Sequence, residues 1–257
     1  MGEKTEIKVE LPEVVNKVLE KPATTLGEKI SDLLEIIFGG ITYKKQELAY
    51  KRELNFEKFK ASLSEKVASV PENKRIEPEE SIIGPAFEAA KYRIDSKELR
   101  EMFAELIASS INIEKKEWIH PAFIEILRNI SPDDARTLLQ LKEWKDTHLI
   151  PIISVGEKVM SIPNNLNHYC FLVRKYGLEK ANVILFSLIR NGLIEINYVF
   201  NKDDVFQGFT FSSMETEFVE LREMRHIGRN VGNPLEYKYG TINLTAFGYA
   251  FVSVCCE

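Results

Sequence analysis

"LIRNGLIEI", residues 188–196, ends an apolar helix and opens a strand, and "TINLTAFGYAFVSVC", residues 241–255, supplies a second strand and a closing helix. Glu195, Ile196, Asn197, Tyr198 and Val199 alternate in the period of two that places every other side chain on one face of a sheet. Strands are therefore expected at 193–199 and 241–245, preceded by helices at about 166–176 and 179–191. This order resembles the recognition helix, wing and final helix of a winged-helix domain. A helix that reads the major groove must offer polar or basic groups along one exposed face. Residues 179–191 contain Val183, Ile184, Leu185, Phe186, Leu188 and Ile189, which leaves Glu179, Lys180, Asn182, Ser187 and Arg190 as outward groups. A helix of this composition is buried over most of its circumference. Residues 132–257 hold 13 Lys and Arg against 15 Asp and Glu, so the overall field does not favour a polyanion. A structural or protein-binding winged helix is preferred, with a DNA-binding transcriptional regulator as the alternative.

The connection between the two strands is long, about forty residues where a hairpin needs roughly two to five. This insertion, at about 200–240, contains a helical stretch, "METEFVELREMRHIGRN", with the basic cluster Arg222, Arg225, His226 and Arg229. These four are the candidate binding site for an acidic partner; the alternative is solvated charge at a helix end.

Upstream, Ser131-Pro132-Asp133-Asp134 is a helix start that leads through Trp144, with proline in the first turn and acidic residues favoured there by the helix dipole. Residues 148–167, with Pro151, Pro163 and "NNLN", read as irregular. Helices are expected at about 79–93, 96–112 and 120–130, the second capped by Asp95 or Ser96 and the third with Pro121 in its first turn. "PENKRIEPEE", residues 71–80, is the connection that precedes them. Residues 10–20 read as a short amphipathic helix ended by Pro22. From Thr24 or Thr25 a longer pattern begins. Leu26, Ile30, Leu33, Leu34, Ile37, Phe38 and Ile41 recur at helical spacing on one face, and the pattern resumes through Leu48, Phe56, Phe59, Leu63, Val67 and Val70 until Pro71. One continuous helix would hold about 45 residues and span roughly 70 Å. Gly39-Gly40 is the place for a bend or a break into two. The fold class expected is mainly α: a helical region over 1–130, then a winged-helix-like domain over 131–257 with two or three short strands.

The chain has 257 residues, a formal net charge of −5, 44% hydrophobic and 28% charged residues, which is a folded protein's composition and lacks the Lys/Arg excess of a phosphate binder. Its three cysteines, Cys170, Cys255 and Cys256, do not form a secreted disulfide framework and fit a reducing cytoplasm. The start has no signal-peptide pattern, and Glu6 stands where a myristoylation signal needs Ser or Thr. No apolar run approaches the roughly 20 residues of a membrane-spanning helix. His120, His148, His168 and His226 show no metal-ligand spacing, and His168-x-Cys170, the nearest pair, reads as structural. Neither a nucleophile elbow nor a phosphate-binding loop is present. Asp133-Asp134 is better explained as capping than as a metal site. No cofactor, metal or catalytic residue is expected, and the protein reads as a non-enzyme.

The order of parts carries a further signal. "EPEESIIGPAFEAAKYRIDSKELREMFAELIASSIN", "HPAFIEILRNISPDDARTLLQL", "LIRNGLIEI" and "INLTAFGYAFVSVC" resemble the Abi-alpha family of bacterial abortive-infection proteins, best over residues 78–257. The resemblance implies phage defence by a helical protein and brings no catalytic residue with it. The resulting expectation is a partner-sensing C-terminal part, a phage or host protein as partner, and N-terminal helices that act as effector or oligomerisation element. Leu26 to Ile41 is the candidate face for oligomerisation, through residues 24–70, or for membrane disruption on activation.

Overall fold

The computed structural model describes residues 26–39, 46–144, 150–157, 164–199 and 235–256. The helix expected over 10–20, Ile41 and most of the insertion, with Arg222, Arg225, His226 and Arg229, lie outside the described residues. The described chain is mainly helical, with one small four-stranded antiparallel sheet in its C-terminal half. It divides into two compact units. One comprises residues up to Ala135 together with those from Ala250, and the other runs from Arg136 to Tyr249.

In the helical unit the pattern from 24 to 70 forms two helices, α1 (Leu26–Gly39) and α2 (Gln46–Ser69). They lie antiparallel. Phe38, at the end of α1, stacks on Phe56 with ring centroids 4.9 Å apart, Lys60 pairs with Glu35 at 2.5 Å, and Gly27 lies beside Val67. The candidate face is the inside of this hairpin: Ile30, Leu33, Leu34, Ile37 and Phe38 are buried, as are Phe59, Leu63 and Val67 opposite, while Leu26 is half-buried. Burying each such side chain contributes about 1.5–3 kcal/mol. The apolar stripe that argued for an oligomer is thus covered within the chain, and that original reason for assembly through 24–70 falls away.

α3 (Glu80–Ala90), α4 (Lys97–Ser110) and α5 (Ala122–Asn129) belong to the same unit. The Ser96 hydroxyl, not Asp95, caps α4 by accepting the Leu99 N–H, and Asp95 accepts from Asn55 of α2 at 3.0 Å instead. α4 is enclosed: Leu99, Met102, Phe103, Leu106 and Ile107 are all buried. Glu105, also buried, is held by Lys66 at 2.8 Å and Lys115 at 3.3 Å, which compensates the cost of removing its charge from water.

α6 (Pro132–Trp144) spans the expected residues. Its start is reciprocal: the Ser131 N–H donates to Asp134 Oδ2 at 2.7 Å, and the Asp134 N–H donates to Ser131 Oγ at 3.1 Å. The acidic residue is a cap, in the manner of a capping box.

The sheet corrects the sequence reading most. Residues 148–167 are not irregular but contain β1 (Ile150–Glu157) and the start of β2 (Asn164–Tyr169). The helix expected from 166 starts later, as α7 (Phe171–Tyr176), and is followed by α8 (Leu178–Arg190), β3 (Ile194–Val199), β4 (Leu235–Leu244) and α9 (Ala246–Cys255). Among the described residues there are four strands, not two or three, in the order β2-β1-β4-β3, every pair antiparallel. β1 lies inside the sheet with Ile152, Ile153 and Val155 all buried, so it lacks the apolar-polar alternation of a half-exposed strand. Pro151 is tolerated near its start, before pairing with β2 begins at Ile153. β4 begins six residues before the expected 241.

Candidate functional site

The turn within residues 188–196 sets the geometry of the sheet unit. α8 ends in a Schellman arrangement: Gly192 has a φ of 69°, its N–H donates to Ile189 O at 2.9 Å, and the Leu193 N–H donates to Leu188 O at 3.0 Å. Glycine suits this left-handed position because it has no Cβ to clash. The chain then enters β3 directly, with Ile194 and Ile196 paired to Leu244 and Ile242 of β4.

Across the sheet runs a row of polar side chains that the sequence did not announce. Ser154 of β1 sits opposite His168 of β2, and Ser154 Oγ lies 2.7 Å from His168 Nδ1 and 3.1 Å from the Tyr198 hydroxyl of β3. Tyr198 reaches across β4 where its partner is Gly240, at which a Cβ would come within 2.7 Å of Asn197 O. Ser154 and His168 are buried, and burial holds the His168 pKa below its ordinary value, so the ring is neutral near pH 7. A neutral ring can accept the Ser154 hydroxyl at Nδ1 while Ser154 accepts from Tyr198. Asn182 of α8 braces the row: its Oδ1 accepts the His168 N–H at 2.9 Å and its Nδ2 donates to Leu178 O at 2.8 Å. Asn182 is therefore a clamp and not the outward group expected. A serine beside a histidine is the arrangement of an activated nucleophile. Here Ser154 has 0% exposure, so the pair holds the sheet together and presents no hydroxyl to a substrate.

Besides Tyr198, which is 43% exposed, the outer face of α8 is accessible. Ala181, Ile184, Leu185 and Leu188 are buried, but Val183 is 67% and Phe186 52% exposed, against the expectation that both turn inward. They share a face with Glu179, Lys180 and Arg190, also exposed, and the Phe186 ring packs 5.3 Å from that of His168. Spacings of three and four residues put these side chains together, which is the signal that could have found them.

The family model described as abortive infection alpha matches residues 51–255. The chain belongs to this family. Among solved structures, the chain is similar to an uncharacterized protein from the hydrocarbon-degrading marine bacterium Alcanivorax borkumensis SK2, at 15% identity and a TM-score of 0.34 over 56% of this chain and 96% of that one. No curated protein matches it. The match to the abortive infection alpha family begins within α2, so α1 precedes it.

Cys170, Cys255 and Cys256 are buried, and burial pushes the Cys170 thiol up to about 12 and that of Cys255 well above its usual range. His168 and Cys170 thus belong to the core, as an unreactive structural pair. Among the described residues there is no cluster of three or more His, Cys, Asp or Glu that could hold a metal ion, and no helix long and apolar enough to cross a membrane.

Proposed function

We propose that this abortive infection alpha protein is a non-enzymatic antiviral defence protein that senses a protein partner, of phage or host, through its sheet unit and answers by arresting or killing the cell. The observation that carries the reading is the outer face of α8, where Val183 and Phe186 stand exposed on the helix that would read DNA in a winged-helix domain. The winged-helix reading is supported by the order of elements, in which a helix and β1 come before two helices ending in α8, then β3 and β4, with β1 and β3 both antiparallel to β4; β2, between β1 and the two helices, is an addition to that order. Apolar side chains at the centre of a recognition face suit a protein surface, since base edges and phosphates call for donors and cations. The sealed Ser154–His168 pair supports a non-enzymatic role, and three buried cysteines, none of them in a disulfide, suit a reducing cytoplasm.

The N-terminal helices carry the output in this scheme. Membrane disruption through Leu26, Ile30, Leu33, Leu34, Ile37 and Phe38 requires the hairpin to open first, because five of these six are core residues, so partner binding must supply the energy of release. Infected cells expressing the protein then lose dye exclusion as they die; dye exclusion kept by dying cells would return that face to core packing alone.

The recognition step is tested with Val183→Glu and Phe186→Glu together. The variant remains folded, because Val183 is 67% and Phe186 52% exposed, and loses protection when phage is plated. Full protection by the folded variant would remove α8 from the sensing step. Tight, steeply salt-dependent binding in a gel-shift series at low salt would favour the DNA-binding regulator.

A further inference from the structure

We infer that α2 is a self-association surface on which two copies of this chain pair their α2 helices antiparallel about a twofold axis near residue 59. The inference is independent of the sensing role of α8 and has its basis in the outer face of the hairpin, not its apolar interior.

Tyr50, Leu54, Glu57, Ala61, Ser64 and Ala68 follow one another at spacings of four, three, four, three and four, the repeat of a coiled-coil seam. Every one of them is exposed. The seam is graded in size. Its N-terminal end bears large apolar side chains, Tyr50 at 71% and Leu54 at 44% exposure, and its C-terminal end bears only small ones. Beside that small end the hairpin leaves a groove of about 590 Å³ between α1 and α2, with Gly27 and Ser31 on one wall, Ala61, Ser64 and Ala68 on the other, and Leu34 and Leu63 in its lining. One face of one helix thus carries both projections and the recess that fits them, which is what a twofold interface requires.

Antiparallel pairing about residue 59 sets Tyr50 opposite Ala68 of the other copy, Leu54 opposite Ser64 and Glu57 opposite Ala61. Each large side chain meets a small one, and both apolar projections enter the groove. A parallel arrangement would stack Tyr50 on Tyr50 and leave the groove empty. Of the three exposed charged residues on one flank of the seam, Lys51, Lys58 and Glu65, the outer two agree with the antiparallel register, while Lys58 meets its own copy near the axis. Lys51 and Glu65 are both exposed and lie on the same flank of the seam, in positions that face each other across an antiparallel pair. Each dimer gains two such contacts.

The full-length chain is measured by sedimentation equilibrium and light scattering. A mass of two chains is expected, and Ala61→Glu, which brings a carboxylate against Glu57 of the other copy, yields one folded chain whose melting temperature, unlike the parent's, does not depend on protein concentration. Lys51→Glu and Glu65→Lys each weaken the dimer by roughly tenfold or more, since both contacts become repulsive. The double reversal restores it, and the two single variants mixed together form the heterodimer. A monomeric parent at the highest concentration the protein tolerates overturns the proposal. So does a dimer untouched by Ala61→Glu, a tetramer untouched by the reversals, or dissociation that the double reversal fails to restore. A monomeric parent whose melting temperature falls with Ala61→Glu would show instead that another part of the same chain covers the seam.

Discussion

The two compact units handle buried polarity in opposite ways. In the helical unit, polar side chains join neighbouring helices around an apolar centre that runs from Phe59 to Phe103: Ser62 donates to Glu101 at 2.6 Å, buried Asn55 to Asp95 at 3.0 Å, and Lys66 and Lys115 bracket buried Glu105. In the sheet unit the polar row of Tyr198, Ser154 and His168 passes through the sheet itself, with its middle member fully buried. Apolar burial is non-directional and proportional to area, whereas a buried hydrogen-bonded row favours one register of strands because displaced members lose their partners. The helical unit is therefore the one whose stability rests on volume, and the sheet unit is the one whose stability rests on pairing.

The largest test of this contrast is Phe103→Ala in α4. The side chain is fully buried, and its removal leaves a cavity in a helix enclosed on all sides, so a loss of about 3–5 kcal/mol is expected in denaturant unfolding. A loss below about 1 kcal/mol would mean that the unit collapses around the gap and that its core is not closely packed. Ser154→Ala comes next. It removes few atoms but strips the His168 ring and the Tyr198 hydroxyl of their shared partner, and a cost of about 1–3 kcal/mol follows from the unsatisfied group. Tyr198→Phe, which leaves Ser154 and His168 paired, should cost less than Ser154→Ala. Equal losses would show that the row has no central member.

These contrasts also explain what was legible in the sequence. α3, α4, α5 and α6 stand within a few residues of their expected positions because their signals are local: a cap at Ser96, prolines at 121 and 132, and apolar residues one turn apart. β1 was missed because its evidence is distant. Residues 150–157 become a strand by pairing with 235–244, about eighty residues on, and with the adjacent 164–169, whose Asn-rich sequence carries no strand pattern of its own. "NNLNHY" has little intrinsic strand character and owes its conformation to β1. The division of 24–70 into two helices was signalled by Gly39-Gly40, but the antiparallel return that covers the apolar face depends on Phe38 finding Phe56 and Phe59, a tertiary event. At the candidate site, the number of apolar residues along α8 conceals Val183 and Phe186, because exposure depends on which side of the helix each occupies.

A smaller effect is expected from pH. His168 carries a pKa below its ordinary 6.5 because burial disfavours the charged ring. The unfolded chain therefore binds a proton at a pH where the folded chain does not. The contribution of the neutral ring is present in full above about 6.5 and is lost as pH falls from there through the folded-state value, below which no further loss occurs. His168→Gln should flatten this part of the stability profile relative to the parent, measured as the difference between the two unfolding midpoints from pH 7.5 to 5. A difference that stays constant over the range would show that His168 titrates as it does in the unfolded chain.

The smallest effect on stability is expected where the largest effect on function is proposed. Val183→Ser removes a side chain that is 67% exposed, so little apolar area leaves a buried environment and the melting temperature should change by no more than about 0.5 kcal/mol would produce. Phe186→Ala removes more, since its ring rests on that of His168, yet half of it is exposed and nothing else in the row depends on it. If the exposed pair exists for the fold, both substitutions should register in unfolding and neither in protection. If it exists for a partner, the order reverses: unfolding barely moves, and phage protection falls for each, more for Phe186→Ala because aromatic side chains contribute more at the centre of an interface. Measuring both quantities on the same two variants separates these cases. A stability loss comparable to that of Ser154→Ala, with protection intact, would assign Val183 and Phe186 to the core and leave α8 without a binding face.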